Sequence, residues 1–81
     1  MAGQIHNIAG YRFVNLEGRD ELQTYYRSVC DDLGLKGTIL LAPEGINFFI
    51  AGTERSVEGF VEHLERDERF TAIPLKHSFT D

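Results

Sequence analysis

The stretch that most constrains the fold of this chain is residues 37–52, in which two apolar runs flank the triplet Pro43, Glu44 and Gly45. Proline presets the φ angle that a turn needs and glycine accepts a positive φ, so the triplet can reverse the chain. Isoleucine occurs in both runs and phenylalanine in the second, and this content together with the turn residues favours strands over the competing helix. The stretch therefore predicts a β-hairpin. Since each arm is apolar at consecutive positions, we expect strands covered on both faces or an apolar open face.

A strand and a helix are predicted before the hairpin. Residues 8–16 alternate in the manner of a first strand, whereas residues 1–7 carry no pattern and are expected to fray. A helix is predicted over residues 21–33, with Asp20 and Gln23 as a capping box and Gly34 at its C-terminal end. Its apolar stripe at helical spacing consists of Leu22, Tyr25, Tyr26, Val29, Cys30 and Leu33. The stripe predicts that one face of this helix packs on a sheet.

A second helix and a last strand are predicted after the hairpin. Thr53 is the expected N-cap of the helix. The buried stripe of this helix is expected to consist of Val57, Phe60, Val61 and Leu64. Phe70 is expected to tuck back beneath a charged turn, and Pro74 opens a strand whose apolar residues alternate as far as Phe79. A proline and a lysine, Lys76, in that strand are typical of the edge of a sheet.

The predicted order β-α-β-β-α-β defines the fold class. It is the order of the α+β ferredoxin-like sandwich, a four-stranded antiparallel sheet with two helices on one face. The first and third strands are central in that arrangement, and these are the strands with apolar residues on both faces. Phe13 or Val14, together with Phe48 or Phe49, is therefore expected on the helix-free face, where an apolar patch is typical of a docking surface. Residues 1–81 are expected to form one such domain.

Composition narrows the classes of function. The net charge of −5 means that the overall field of the chain does not attract phosphate backbones, so nucleic-acid binding needs a local basic patch. The single cysteine excludes an internal disulfide and a zinc knuckle. No apolar run approaches the roughly 18 residues that span a bilayer, and no signal-peptide pattern is present. The sequence therefore predicts a cytoplasmic protein without a membrane partner.

Residues that could carry chemistry are scarce. Cys30 lies in the middle of the first predicted helix, away from the positive N-terminus that would lower its pKa, and is expected to be an inert core residue. His6, His63 and His77 fall on different elements, so no metal site is expected. Residues 15–19 are expected to form a plain turn, with an anion cradle as the alternative. The sequence predicts no catalytic residue and no cofactor.

The layout resembles that of the acylphosphatases at residues 33–37 and at the turn glycine Gly45. Those enzymes need an asparagine near the end of the second strand, and Leu41 falls at that position here. The first loop also lacks their glycine-valine pattern. The resemblance therefore implies an acylphosphatase-like fold without the activity.

A more specific resemblance covers residues 35–47, which read LKGTILLAPEGIN. This run resembles the signature of a rhodanese-related family that hydroxylates tRNA at the wobble uridine. The likeness extends over most of the chain and takes in residues 11–14, the end of the first helix at 33–34, the start of the second helix after 51–53, and residues 76–79. It implies an N-terminal domain followed by a rhodanese domain that carries the active-site cysteine. The implied reaction is oxygen-dependent formation of 5-hydroxyuridine. Cys30 does not match that cysteine, and Phe48 stands where family members commonly have a small residue, so no catalytic residue carries over.

The resemblance leaves two interpretations of this domain, and a stand-alone RNA-binding or protein-interaction module without an enzymatic role is the alternative to both. In the first, the domain is a docking scaffold for the rhodanese domain of the same chain. In the second, it also contacts tRNA, with Tyr11 or Phe13 and Phe49 stacking on bases and Arg12 and Lys36 directed toward phosphates.

Functional contacts are expected at two basic residues and at the hairpin turn. The predicted binding residues are Arg12, Lys36, Pro43, Glu44, Gly45 and Asn47. The competing explanation is that most of these turn residues only stabilise the turn. In that case Pro43 sets the φ angle, Gly45 adopts a left-handed conformation and Asn47 hydrogen-bonds the loop. A turn needs no carboxylate at Glu44, which is expected to pair with a basic residue of the following domain.

Overall fold

Four strands and two helices follow the predicted order in the computed structural model, which describes residues 4–80. The strands are β1 (Ile5–Phe13), β2 (Lys36–Ala42), β3 (Gly45–Gly52) and β4 (Lys76–Thr80). The helices are α1 (Arg19–Leu33) and α2 (Glu54–Glu65), and a 3-10 turn at Glu68–Phe70 follows α2. The sheet is antiparallel with the order β2-β3-β1-β4, so β1 and β3 are central. The predicted α+β ferredoxin-like fold is confirmed.

The side chains of the hairpin strands lie alternately on the two faces of the sheet. Pro43 and Glu44 form the turn, and β2 pairs with β3 so that Leu40 lies opposite Asn47. Alternate residues of β3 are buried beneath the helices, and Phe48 is among them, whereas Phe49 is exposed on the other face. The two faces that the sequence left open are thereby assigned: Phe13 and Phe49 lie on the helix-free side, and Phe48 belongs to the core.

The core is one cluster between the sheet and both helices. Aromatic rings dominate it, since Phe60 meets Phe48 edge-on with ring centroids 5.4 Å apart and Tyr26 with centroids 5.9 Å apart. The buried apolar residues are Ile8, Leu16, Tyr26, Val29, Leu35, Ile46, Phe48, Ile50, Val57, Phe60, Leu64, Phe70 and Ile73. Burial of these side chains is the main favourable contribution to folding.

The first strand begins earlier and ends earlier than the sequence predicts. β1 covers Ile5–Phe13 instead of residues 8–16. Its N-terminal part is ordered because it pairs with β4, and Asn7 lies opposite Ser78. The prediction of fraying was therefore wrong for residues 5–7, and residues 1–3 lie outside the described part of the chain. Beyond Phe13 the chain leaves the sheet because its next N–H groups bond to the hairpin turn.

Helix α1 starts without the predicted capping box. Its N-cap is Gly18, in the left-handed conformation and without a side-chain hydrogen bond. Asp20 lies inside the first turn, where its carboxylate complements the helix dipole. Tyr25, predicted to be buried, is exposed. The predicted end is confirmed, since Gly34 is left-handed and the N–H of Leu35 bonds to the carbonyl of Cys30 at 2.8 Å.

The second half of the chain follows the prediction closely. Thr53 caps α2, and its hydroxyl accepts from the N–H of Ser56 at 3.1 Å. Phe70 is fully buried. β4 is an edge strand, as predicted, but it begins at Lys76 rather than at Pro74. Within residues 4–80, neither helix has the length and apolar character needed to cross a membrane.

The adjacent phenylalanines of β3 provide a matched test of this fold. Phe48→Ala removes a side chain that is 2% exposed and should lower the free energy of unfolding by about 3–5 kcal/mol. Phe49→Ala removes a side chain that is 51% exposed and should change it by less than about 1 kcal/mol. Urea denaturation of the two variants checks the assignment. Equal destabilisation would mean that the face assignment of β3 is wrong.

Candidate functional site

The helix-free side of the sheet, called here the open face, carries exposed large apolar side chains from three strands. The exposed fractions are 63% for Tyr11, 80% for Phe13, 62% for Leu40 and 51% for Phe49. Strand register places all four on the side opposite the core. Side chains of this size are normally at least partly covered in a folded domain, so the open face is the strongest candidate for a functional surface.

Cross-strand pairing arranges these side chains in rows. One row contains Tyr11 of β1, Asn47 of β3 and Leu40 of β2. The ring of Phe13 meets the ring of Tyr11 edge-on, with centroids 5.5 Å apart. Beside the hairpin turn these residues line a shallow groove of about 360 Å³, with Asn47 in it. The amide of Asn47 makes no hydrogen bond within residues 4–80, so the predicted bond to the loop is absent from this part of the chain and the amide is available to a partner.

The open face has a charge distribution unlike that of the whole chain. Lys36 begins β2 and Lys76 begins β4, so that a lysine stands on each edge strand. None of the open-face strand positions among residues 4–80 is an aspartate or a glutamate. The carboxylates of this part of the chain lie in the helices, the loops and the hairpin turn. Although the net charge of the whole chain is −5, the open face is locally basic and aromatic.

The structure separates the two predicted basic contacts. Arg12 lies on the helix side of β1, since side chains alternate along a strand and its neighbours Tyr11 and Phe13 occupy the open face. Its Nη1 donates to the carbonyl of Arg69 at 3.4 Å. Lys36 lies at the end of β2 far from the turn, on the open face. Of the pair, only Lys36 lies on the same face of the sheet as the exposed aromatic residues.

The hairpin turn is fastened to the loop that follows β1. The N–H of Val14 donates to the carbonyl of Glu44 at 2.8 Å, and the N–H of Leu16 donates to the carbonyl of Pro43 at 3.0 Å. These two N–H groups are therefore not free to cradle an anion, which favours the plain-turn interpretation of the loop. The side chain of Glu44 remains exposed, and within residues 4–80 it forms no salt bridge.

Gly45 is required by the close approach of two backbones. Its φ is 157°, not the left-handed helical value expected for the turn. A Cβ at this position would lie 2.1 Å from the backbone carbonyl oxygen of Arg12. Gly45 is buried and pairs with Phe13, so its role is structural and it offers no side chain to a partner.

Several titratable groups away from the open face, within residues 4–80, are held by burial or by neighbouring side chains. Burial raises the pKa of the Cys30 thiol, and the Asp31 carboxylate raises it further, so the nucleophilic thiolate is disfavoured. The Arg69 side chain hydrogen-bonds Asp67 and lowers the pKa of that carboxyl. Nε2 of His6 lies 2.9 Å from Nδ1 of His77, a contact between histidines that the sequence had separated. Within the described residues no group of three or more potential ligands is placed to hold a metal ion.

Sequence reasoning missed two residues of the open face, Leu40 and Lys76. A signal for Leu40 was available, because a two-residue turn at Pro43 and Glu44 fixes the register that places it opposite Asn47. Lys76 was predicted as an edge residue, and its face follows only from the pairing of β4 with β1, where it lies opposite Ala9.

The domain is ferredoxin-like and of the acylphosphatase type. Its strand order, its layer of two helices and the hydrogen bonds that hold its hairpin turn all fit this class. The chain matches the UPF0176 acylphosphatase like domain over residues 5–81, and it belongs to this family. A solved structure with the same fold, the de novo designed protein Ferredog-Diesel, superimposes with a TM-score of 0.64 at 18% identity. The match covers 96% of this chain and 87% of the designed one.

The predicted resemblance is confirmed by relatives named tRNA uridine(34) hydroxylase. The protein from Cupriavidus pinatubonensis is 53% identical over 78 residues, which are 96% of this chain and 28% of the relative. The protein from Burkholderia thailandensis is 44% identical over 79 residues, 93% of this chain and 27% of the relative. The chain thus spans little more than a quarter of the length of these relatives, and it corresponds to their N-terminal domain.

A substitution at Gly45 tests the close approach of β3 to the backbone of β1 beside the hairpin turn. Gly45→Ala should lower the free energy of unfolding by about 2–3 kcal/mol, because the new methyl group must push β3 away from the Arg12 carbonyl. Asn47→Ala, two residues along the same strand, should change it by less than about 0.5 kcal/mol, since the amide has no partner in the described residues. Thermal and urea denaturation measure both. A neutral Gly45→Ala would contradict the close approach.

Proposed function

We propose that this chain is a non-catalytic domain of a longer, cytoplasmic tRNA-modifying protein, and that its open face docks against the rhodanese domain that the family resemblance implies. The hydroxylation of tRNA uridine is assigned to the longer protein as a whole. The observation that carries the proposal is the exposure of Tyr11, Phe13, Leu40 and Phe49 on one side of the sheet. These four side chains contribute little to the core of the domain, and a partner that covers them gains apolar burial.

The geometry of the open face suits a docking partner. Specific interfaces typically combine aromatic residues near the centre with a polar rim. Tyr11 and Phe13 form an aromatic pair next to Asn47, while Lys36 and Lys76 stand at the periphery on the two edge strands. A carboxylate on the partner would complement the lysines, and a basic residue of the partner would complement the exposed Glu44.

Docking is tested in a chimera that joins this chain to the remainder of a longer relative. This chain replaces the matched part of the Cupriavidus pinatubonensis protein, and Phe49→Asp is introduced into the chimera and into the isolated chain. The isolated chain should keep its unfolding midpoint within a few degrees, because Phe49 is exposed. The chimera should lose stability, since the aspartate would be buried at the docking surface without a partner.

A matched control for this experiment is Glu62→Gln, on the exposed side of α2. It should leave the unfolding of both proteins unchanged. Equal effects of Phe49→Asp on the chimera and on the isolated chain would contradict docking through the open face.

A second candidate function, direct contact with tRNA, is favoured by the charge of the open face. The absence of carboxylates from the open-face strand positions of residues 4–80 gives a polyanion an approach that the acidic helices do not offer. Exposed aromatic rings on a four-stranded sheet are suited to base stacking. Asn47 presents an amide donor and acceptor next to Tyr11, a combination that hydrogen-bonds the edge of an unpaired base.

An NMR titration of the chain with an anticodon stem-loop RNA, at low and at physiological salt, tests this contact. We expect shifts at Tyr11, Asn47 and Phe49. Lys36→Gln should weaken binding and reduce the salt dependence by about one phosphate contact. Arg55→Gln, on the exposed side of α2, is the matched control and should have no effect. Shifts confined to low salt, or an equal effect of the two substitutions, would contradict RNA recognition by the open face.

A further inference from the structure

The two edges of the sheet are protected to different degrees. β4 has five residues, all of them exposed, and it follows Pro74. A short, mostly polar edge strand next to a proline discourages pairing with another chain. β2 has seven residues, and its sequence is KGTILLA, with one charge at its first position and no proline. Within residues 4–80, β2 pairs only with β3, so its outer backbone groups are available. This strand lacks the devices that normally keep an edge free.

Both sides of the β2 edge offer apolar surface to an added strand. Leu40 is exposed on the open face. On the helix side, Ile39 and Leu41 are half-buried at the edge of the core. A groove of about 670 Å³ between α1 and β2 runs along this side and is lined by residues such as Cys30 and Ile39. A strand that extends the sheet at β2 would bury side chains in this groove and against Leu40 at the same time.

The residues of β2 are complementary to a second copy of the same strand. In antiparallel pairing about a two-fold axis at Leu40, the two Leu40 side chains meet on the open face. On the helix side, Ile39 of each copy lies opposite Leu41 of the other. Glu44 lies two residues beyond the end of β2, in the hairpin turn, and continuing this register past Ala42 brings Lys36 of each copy toward Glu44 of the other, which gives two pairs of opposite charge. Placing the axis at Ile39 instead sets Lys36 opposite Ala42 and loses both charge pairs.

We propose that two copies of this domain pair through β2, antiparallel and about a two-fold axis at Leu40, to form one continuous sheet. This pairing uses Leu40, Lys36 and Glu44, which the proposed docking surface also includes, but it leaves Tyr11, Phe13 and Phe49 uncovered, so failure of the pairing and failure of docking can be told apart by variants of those three residues. It also explains the exposed Glu44, which forms no salt bridge within the described residues. The interface is isologous, so it closes with two copies and does not propagate.

Sedimentation velocity of the 81-residue chain at micromolar to millimolar concentrations measures the pairing. Residues 4–80 contain an apolar core of thirteen buried residues, and the chain is expected to fold by itself. We expect a reversible monomer–dimer equilibrium. Leu40→Lys should weaken the dimer about tenfold or more, because it brings two like charges together on the axis. Phe13→Lys, an equally drastic change on the open face but on a central strand, is the matched control and should leave the dimer unchanged.

A charge exchange tests the register. Lys36→Glu alone and Glu44→Lys alone should each weaken the dimer about five-fold, since each creates two like-charge pairs. The double variant Lys36→Glu/Glu44→Lys should restore it, and the effect should fade at high salt. Circular dichroism of every variant separates loss of pairing from loss of fold.

Three results would overturn the proposal. A chain that remains monomeric at all concentrations would exclude pairing of two copies through β2. A dimer that is broken by Phe13→Lys but not by Leu40→Lys would place the interface on the open face. Single charge variants that the double variant fails to rescue would exclude the antiparallel register at Leu40.

Discussion

The register of β3 against β1 is the constraint on which the rest of this structure depends. It is held where Gly45 approaches the Arg12 carbonyl so closely that no side chain fits between the two strands. Side chains along a strand alternate between faces, so a slip by one residue would bring Phe49 into the core and expel Phe48. The hydrogen bonds from the loop after β1 to the carbonyls of Pro43 and Glu44 oppose such a slip. Which residues lie in the core and which lie on the open face thus depends on the register that this contact and these hydrogen bonds hold.

The hairpin, the helix stripes and the strand order could be predicted because each depends on local periodicity and on turn residues. Predictions failed where a distant partner decided the outcome. β1 extends back to Ile5 because it pairs with β4, which comes from the other end of the chain. The sequence of the first residues contains no pattern that predicts this pairing. Asp20 looked like a cap, yet the loop bound to the hairpin turn brings Gly18 to the helix start. Local patterns determine elements, and long-range pairing determines their ends.

For the candidate site, the sequence supplied the right residue types but not their sides. Arg12 and Lys36 share a charge, whereas the alternation of β1 places Arg12 on the helix side of the sheet, where its guanidinium donates to the carbonyl of Arg69. Asn47 was expected to serve the turn, and it lies instead in a groove beside Tyr11. Leu40 went unnoticed because an apolar residue in an apolar run gives no signal until its register is known. A binding surface on a sheet is defined by register, and composition alone does not provide it.

The exposure of Leu40 is the strongest indication that the exposed apolar residues bind a partner. Tyr11, Phe13 and Phe49 could be explained by strand propensity, since aromatic side chains stabilise sheets through cross-strand contacts even where they remain exposed. Leucine has no such advantage, and threonine, which already occupies the neighbouring open-face position Thr38, would serve an exposed edge strand equally well. An exposed leucine on an unprotected edge adds a risk of aggregation without stabilising the domain. Its presence between the open face and the β2 edge is therefore best explained by burial in a complex.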